Sequence, residues 1–181
     1  MTRRERIRTA LALNPVDRLP KDLGAMASTG ISAFAYPGLV RTLGLSPRRP
    51  KIFDVNQMLA LPDPDVLDAL DCDCVMVRMD DCTNAFEEPE TWHPYDFNGR
   101  LDALVRDPAA YEVHPDGTVT MENRSMVPGS TVFDAPHGGQ VLDLSADLPR
   151  WDLDLLRENL EKQLFGPDRV EAVAAYCRRA R

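Results

Sequence analysis

Cys72, Cys74 and Cys82, taken with His93, are the residues of this chain whose types could together hold a metal ion. Zinc is bound by thiolate and imidazole donors, but a C-x-C pair followed by a long gap is not a strong tetrahedral spacing. A free cysteine also behaves as a small apolar residue. The expectation is therefore buried thiols lining a strand, with no metal site assigned. Trp92-His93-Pro94-Tyr95 sets an imidazole between two aromatic rings, a composition that suits a pocket wall, a lid or simply a packed loop. His114 and His137 flank turn sequences and read as solvated.

Positioning such groups falls to elements that the pattern makes visible. Thr2-Arg3-Arg4-Glu5 has capping-box spacing, with Ile7, Ala10 and Leu11 on one face of the helix it would open and Pro15 beyond its end. Pro20 and Gly24 bracket a segment long enough only for a short strand. Ile31, Phe34, Leu39, Val40 and Leu43 predict helix within residues 28–44, stopped by Gly44, with Pro37 either kinking one helix or opening a second. Ile52-Phe53 reads as extended. Asp54 then caps a predicted helix through Val55, Met58 and Leu59 that ends near Pro62, and Asp63-Pro64 opens another over residues 65–70. Cys74-Val75-Met76-Val77-Arg78-Met79 is the clearest strand, apolar on both faces as in a buried parallel sheet. Arg78 and Asp80, two residues apart, share one of its faces.

The middle of the chain changes character, with seven prolines and five glycines between residues 84 and 150. His114-Pro115-Asp116-Gly117-Thr118 is a turn between Tyr111-Glu112-Val113 and Val119-Thr120-Met121, which predicts a β-hairpin, and Thr131-Val132-Phe133-Asp134 is a candidate third strand. Leu153, Leu156, Leu160 and Leu164 then form a helical stripe read as core, with Glu158 and Lys162 as an i,i+4 pair and Gly166-Pro167 as its end. Val170, Val173, Ala174 and Cys177 mark one face of a last helix from Arg169 to Arg181.

Composition excludes several function classes. A net charge of -8 and a pI near 4.9 disfavour general nucleic-acid binding, and the basic runs at the two ends read as solvated helix ends. No signal peptide or membrane-length apolar run is present. Four cysteines in 181 residues do not make a secreted disulfide framework, so the expected compartment is the cytoplasm with reduced thiols.

The capped first helix, Pro15-Val16-Asp17-Arg18-Leu19-Pro20, the segment Lys21-Asp22-Leu23-Gly24, and residues 65–70 leading into Asp73-Cys74-Val75-Met76-Val77-Arg78-Met79-Asp80 come in an order and spacing similar to one known superfamily. That superfamily is the uroporphyrinogen decarboxylases and their relatives, which include corrinoid-dependent methyltransferases. Residues 54–62 and the Asp116-Gly117 hairpin resemble the uncharacterised and methyltransferase-type members more than the decarboxylases proper.

The resemblance implies an α/β fold, the amino-terminal part of a (β/α)8 barrel with an inserted antiparallel hairpin region, its site at the carboxyl ends of the strands. Residues 1–83 would supply the first helices and barrel strands, 84–150 the insertion, and 151–181 helices leading to the other barrel half. In the decarboxylases an aspartate just after the second strand faces the substrate's pyrrole N–H groups and stabilises positive charge as a ring carbon is protonated and carbon dioxide leaves. By position that residue is Asp80, with Arg78 beside it. The same enzymes carry an arginine-rich loop after the first strand, which pairs with a polycarboxylate substrate. Here residues 25–40 hold no arginine or lysine, and Ser28, Thr29 and Ser32 could instead hydrogen-bond a smaller, less charged ligand. Decarboxylation in this family needs no cofactor. The methyltransferase-type alternative would use zinc and a corrinoid, with ligands in the second barrel half. A partial barrel also leaves an open sheet edge, so the expected partners are a small-molecule substrate and either a second copy or a complementing carboxyl-terminal half. A non-catalytic fragment or interaction module is the remaining alternative.

Overall fold

The computed structural model describes residues 1–76, 92–134, 152–163 and 166–179, which fall into two units, the first two ranges in one and the last two in the other. The described residues mix helices with two mostly antiparallel sheets and form no closed barrel. Among them no helix is long and apolar enough to cross a membrane.

Helix α1, Arg3–Leu11, begins as its sequence dictates: the Glu5 N–H donates to Thr2 Oγ1 at 3.2 Å and the Thr2 N–H donates to Glu5 Oε2 at 2.8 Å. Its end is less ordinary. The Leu13 N–H reaches Ala10 O (2.9 Å) and the Asn14 N–H reaches Thr9 O (3.1 Å), the paired bonds of a Schellman motif. Leu13 holds the left-handed position usually given to glycine, at φ 57°. The predicted apolar face is not what α1 buries, because Ile7 and Ala10 are half-buried and Leu11 is exposed, whereas Arg6 is buried.

Residues 28–44 divide rather than forming one helix. A 3-10 turn, Ala27–Thr29, leads to strand β1, Ile31–Ser32, and then to helix α2, Tyr36–Thr42, with Pro37 in its first turn where its missing N–H costs nothing. The helix expected after Asp54 is absent. Strand β2, Lys51–Asp54, turns instead through a loop in which the Gln57 N–H donates to Asp54 Oδ1 (2.9 Å) and Met58 sits at φ 52°, and it returns as strand β3, Leu59–Leu61. Strand β3 lies between β1 and β2, so all three of its residues are buried; an apolar run this short carries no period that separates strand from helix. Helix α3, Pro64–Ala69, forms as expected. Its N-cap Asp63, however, spends its carboxylate on the hydroxyl of fully buried Tyr36 (2.8 Å), and that same hydroxyl accepts the Asp63 N–H (2.8 Å).

Strands β4, His93–Asp96, and β5, Asp102–Val105, complete a five-stranded sheet in the order β1-β3-β2-β5-β4, antiparallel except where β2 meets β5. Its residues alternate between two clusters. Ile52, Ala60, Ala103 and Val105 belong to the main core with Phe97, while Phe53, Leu61 and Leu104 pack with Trp92. That is the period of two expected when both faces of a sheet are covered.

The predicted hairpin forms from strand β6, Glu112–Val113, and strand β7, Val119–Met121, around a turn closed by the His114 N–H donating to Thr118 O (2.8 Å). Gly117 is required there by its φ of +85°. The third strand of this sheet is β8, Arg124–Met126; residues 131–134 contribute only a bridge from Asp134 to Ser125. Val119, Met121, Met126 and Phe133 join the main core, so the hairpins pack against the larger sheet. Arg100 ties the two together. Its guanidinium donates to the carbonyls of Phe97 (3.4 Å), Gly117 (3.5 Å), Met126 (3.4 Å), Val127 (3.1 Å) and Ser130 (3.3 Å).

The second unit contains helices α4, Leu153–Gln163, and α5, Pro167–Arg179, matching the predicted pair. The leucine stripe is not core: Leu153, Leu156 and Leu160 are 68%, 38% and 54% exposed. Helical spacing reports that a helix has an apolar face without reporting what covers it. Leu164 lies outside the described residues, as does the side chain of Lys162.

Candidate functional site

The segments that carry the family resemblance meet at Asp73. Its carboxylate is fully buried and accepts from Arg6 Nη1, from Arg18 Nη1 (2.6 Å) and Nη2 (3.2 Å), and from the Lys21 N–H (2.8 Å). The Asp73 N–H in turn donates to Lys21 O at 2.8 Å. Arg6 also forks onto Asp17, through Nε to Oδ1 (2.7 Å) and Nη2 to Oδ2 (2.9 Å), and Arg18 reaches the Asp71 carboxylate (2.6 Å) and carbonyl (2.9 Å). Two guanidiniums thus face Asp17 and Asp73, joining α1, the Pro15-to-Pro20 loop and residues 71–73.

Charge and hydrogen bonding agree in this cluster. Burial alone would raise the pKa of Asp73, but the bonds from Arg18, the Lys21 amide and Arg6 prevail and hold it at about 2. The Arg6 hydrogen bond likewise holds Asp17 well below the ordinary carboxylate range, and the Asp17 hydrogen bond holds the Arg6 guanidinium firmly protonated. A carboxylate with four donors leaves no lone pair for substrate, so Asp73 is an anchor. Arg6 and Asp73 were not singled out by sequence reasoning. Arg6 pairs with Asp17 and Asp73, eleven and 67 positions away, a separation that no local pattern spans.

Neither predicted strand is regular in the described residues: residues 21–24 and 74–76 form no strand, and the Asp73 N–H donates to Lys21 O where the two segments begin. The first turns away because the Asp22 carboxylate captures the Ala25 N–H (3.0 Å) and the Thr29 hydroxyl (2.8 Å). Gly24 follows at φ +75°, where an added Cβ would lie 2.8 Å from the Pro62 ring. The Thr29 hydroxyl is therefore engaged within its own loop, and Ser28 is exposed. Arg78 and Asp80 lie outside the described residues, as do Cys82 and His137, so the proposed catalytic pair has no geometry here.

Cys72 is buried and Cys74 half-buried, both free thiols. Burial, reinforced by the Asp22 carboxylate, raises both pKa values, which keeps them protonated and poor as ligands or nucleophiles. Among the described residues no three His, Cys, Asp or Glu side chains are grouped to hold a metal ion. His93 is exposed on edge strand β4, while neighbouring Trp92 is buried with the Arg106 guanidinium 5.3 Å from its ring centre. His114 Nε2 and Thr120 Oγ1 lie 2.8 Å apart across the hairpin.

Tested against protein-family models, curated proteins and solved structures, the chain matches none of them.

Proposed function

We propose that this chain is the amino-terminal part of a uroporphyrinogen decarboxylase-like (β/α)8 barrel, with Asp80 as its catalytic carboxylate and Arg78 beside it. The observation that supports this reading is the junction at Asp73. Residues 15–21 and 71–73, more than fifty positions apart, are brought side by side by a backbone bond and by Arg18, as neighbouring first and second strands of such a barrel require at their amino ends. In the barrel that the resemblance implies, Asp80 would stand at the carboxyl end of the second strand, where barrel sites are built. The reaction would be loss of carbon dioxide from porphyrinogen acetate groups, without a cofactor, in the cytoplasm.

The absence of arginine and lysine from residues 25–40 favours a second reading, a corrinoid-dependent methyltransferase-type member with zinc and corrinoid ligands in the other barrel half. One experiment separates the two. The chain is co-expressed with the carboxyl-terminal half of a decarboxylase and, separately, of a methyltransferase-type relative, and each complex is assayed for carbon dioxide release from uroporphyrinogen and for cobalamin binding by absorbance. Decarboxylation that disappears in Asp80→Asn supports the first reading, and cobalamin binding without decarboxylation supports the second. Association with neither half, or turnover unchanged in Asp80→Asn, sinks the assignment.

A further inference from the structure

Asn98 and Gly99 occupy the centre of the tight turn between β4 and β5, at φ 54° and 71°. The turn is closed by the Phe97 N–H on Leu101 O (2.9 Å) and the Arg100 N–H on Phe97 O (3.2 Å). Asn98 and Gly99 are the two central residues of the four-residue turn Phe97 to Arg100; two successive left-handed residues are what a turn of this hand requires, and Asn-Gly meets the requirement at least steric cost. The same dipeptide is chemically labile. The glycine backbone nitrogen, on losing its proton, can attack the asparagine Cγ; a C–N bond forms, ammonia leaves, and water opens the cyclic imide to aspartate or isoaspartate. Water is the sole co-reactant, and both residues are exposed to it.

Two contacts oppose that reaction in the folded chain. The Gly99 N–H donates to Asp96 Oδ1 at 2.8 Å, and a negative charge on the acceptor makes loss of that proton harder. The attacked group is also confined: the Asn98 side chain lies against the next hairpin, where a Cβ built on Gly117 would sit 3.2 Å from Asn98 Nδ2. From these contacts we infer that Asn98 is a latent deamidation site, kept as asparagine by its turn, with Asp96 as the protecting residue. Its conversion would place a new carboxylate two residues from Asp96. The isoaspartyl product would also lengthen the backbone inside the turn that sets the β4–β5 register.

The full chain is incubated at mildly alkaline pH and the peptide containing Asn98 is followed by mass spectrometry, in buffer, in concentrated urea, and as Asp96→Ala and Asp96→Asn in buffer. Deamidation should accelerate about tenfold or more in urea and in Asp96→Ala, the scale of a lost charge-assisted hydrogen bond. Asp96→Asn, which retains an acceptor without its charge, should fall between. Equal rates in buffer and urea overturn the inference. So does an Asp96→Ala chain that still melts cooperatively yet deamidates no faster; slower conversion there would make Asp96 a base rather than a guard. Should Asp96→Ala fail to fold, the buffer-to-urea ratio and Asp96→Asn decide the matter.

Discussion

Replacing Leu13 with glycine should stabilise the protein, although it removes a large apolar side chain. Leu13 closes α1 in the left-handed region at φ 57°, where a side chain bearing a Cβ is strained by about 1–2 kcal/mol. Its side chain is 94% exposed, so truncation forfeits almost no buried area. Against the relief stands the extra freedom glycine gives the unfolded chain, about 0.5–1 kcal/mol. The balance is a gain of about 0.5–1 kcal/mol, since both Schellman bonds are donated by backbone and survive the change. For a chain of this size that corresponds to about 1–4 °C in melting temperature. Leu11, two residues earlier and also exposed, supplies the control, because glycine inside the last helical turn should cost about 1 kcal/mol. Urea titration at unchanged slope measures both. Opposite signs for the two variants are expected. Loss of stability in Leu13→Gly would mean that the side chain is packed against something, and the reasoning from backbone strain would be refuted.

Two further outcomes follow from the hydrogen-bonded anchors. Because Asp73 titrates near 2 when folded and near its ordinary 3.8 when unfolded, the stability it contributes is fully present above about pH 5 and is lost as pH falls through that window; Asp73→Asn should lower stability at neutral pH and flatten the acid limb, and an unchanged acid limb in urea titrations from pH 6 to 2 would count against the anchor. Tyr36→Phe should cost about 1–3 kcal/mol by stripping Asp63 of both a donor and an acceptor in a buried setting, and a neutral result by thermal melting would show that solvent replaces the hydroxyl there.

What the sequence made legible was the local chemistry. The Thr2–Glu5 box, the Asp63-Pro64 helix start and the Asp116-Gly117 turn each involve neighbours within a few residues, and each formed where expected. Patterns whose meaning depends on distant partners were read less well. Leu59-Ala60-Leu61 looks equally apolar as helix or strand, and it is a strand only because β1 and β2 flank it. Asp63 is a cap by spacing, but Tyr36 claims its side chain. The Leu153-Leu156-Leu160 stripe has the spacing of a core helix while lying exposed. Asp17, Arg18 and Asp73 all belonged to the motifs that suggested the family, yet nothing in their spacing disclosed that Arg6 would join them. Ser28 and Thr29 illustrate the same limit at the candidate site, since Thr29 answers to Asp22, seven residues away, and leaves Ser28 as the exposed hydroxyl.

Arg100 and Asp73 hold their surroundings by opposite chemistries, and that difference sets how the first unit comes apart. Around Asp73 the joint depends on carboxylates, whose grip ends once they gain protons. Around Arg100 the acceptors are five peptide carbonyls, which carry no titratable proton. Acid therefore acts selectively. It is expected to loosen the joint between the opening helix, its loop and Asp73 before it reaches the contacts of Arg100, so that one seam is built on groups that take up protons and the other is not.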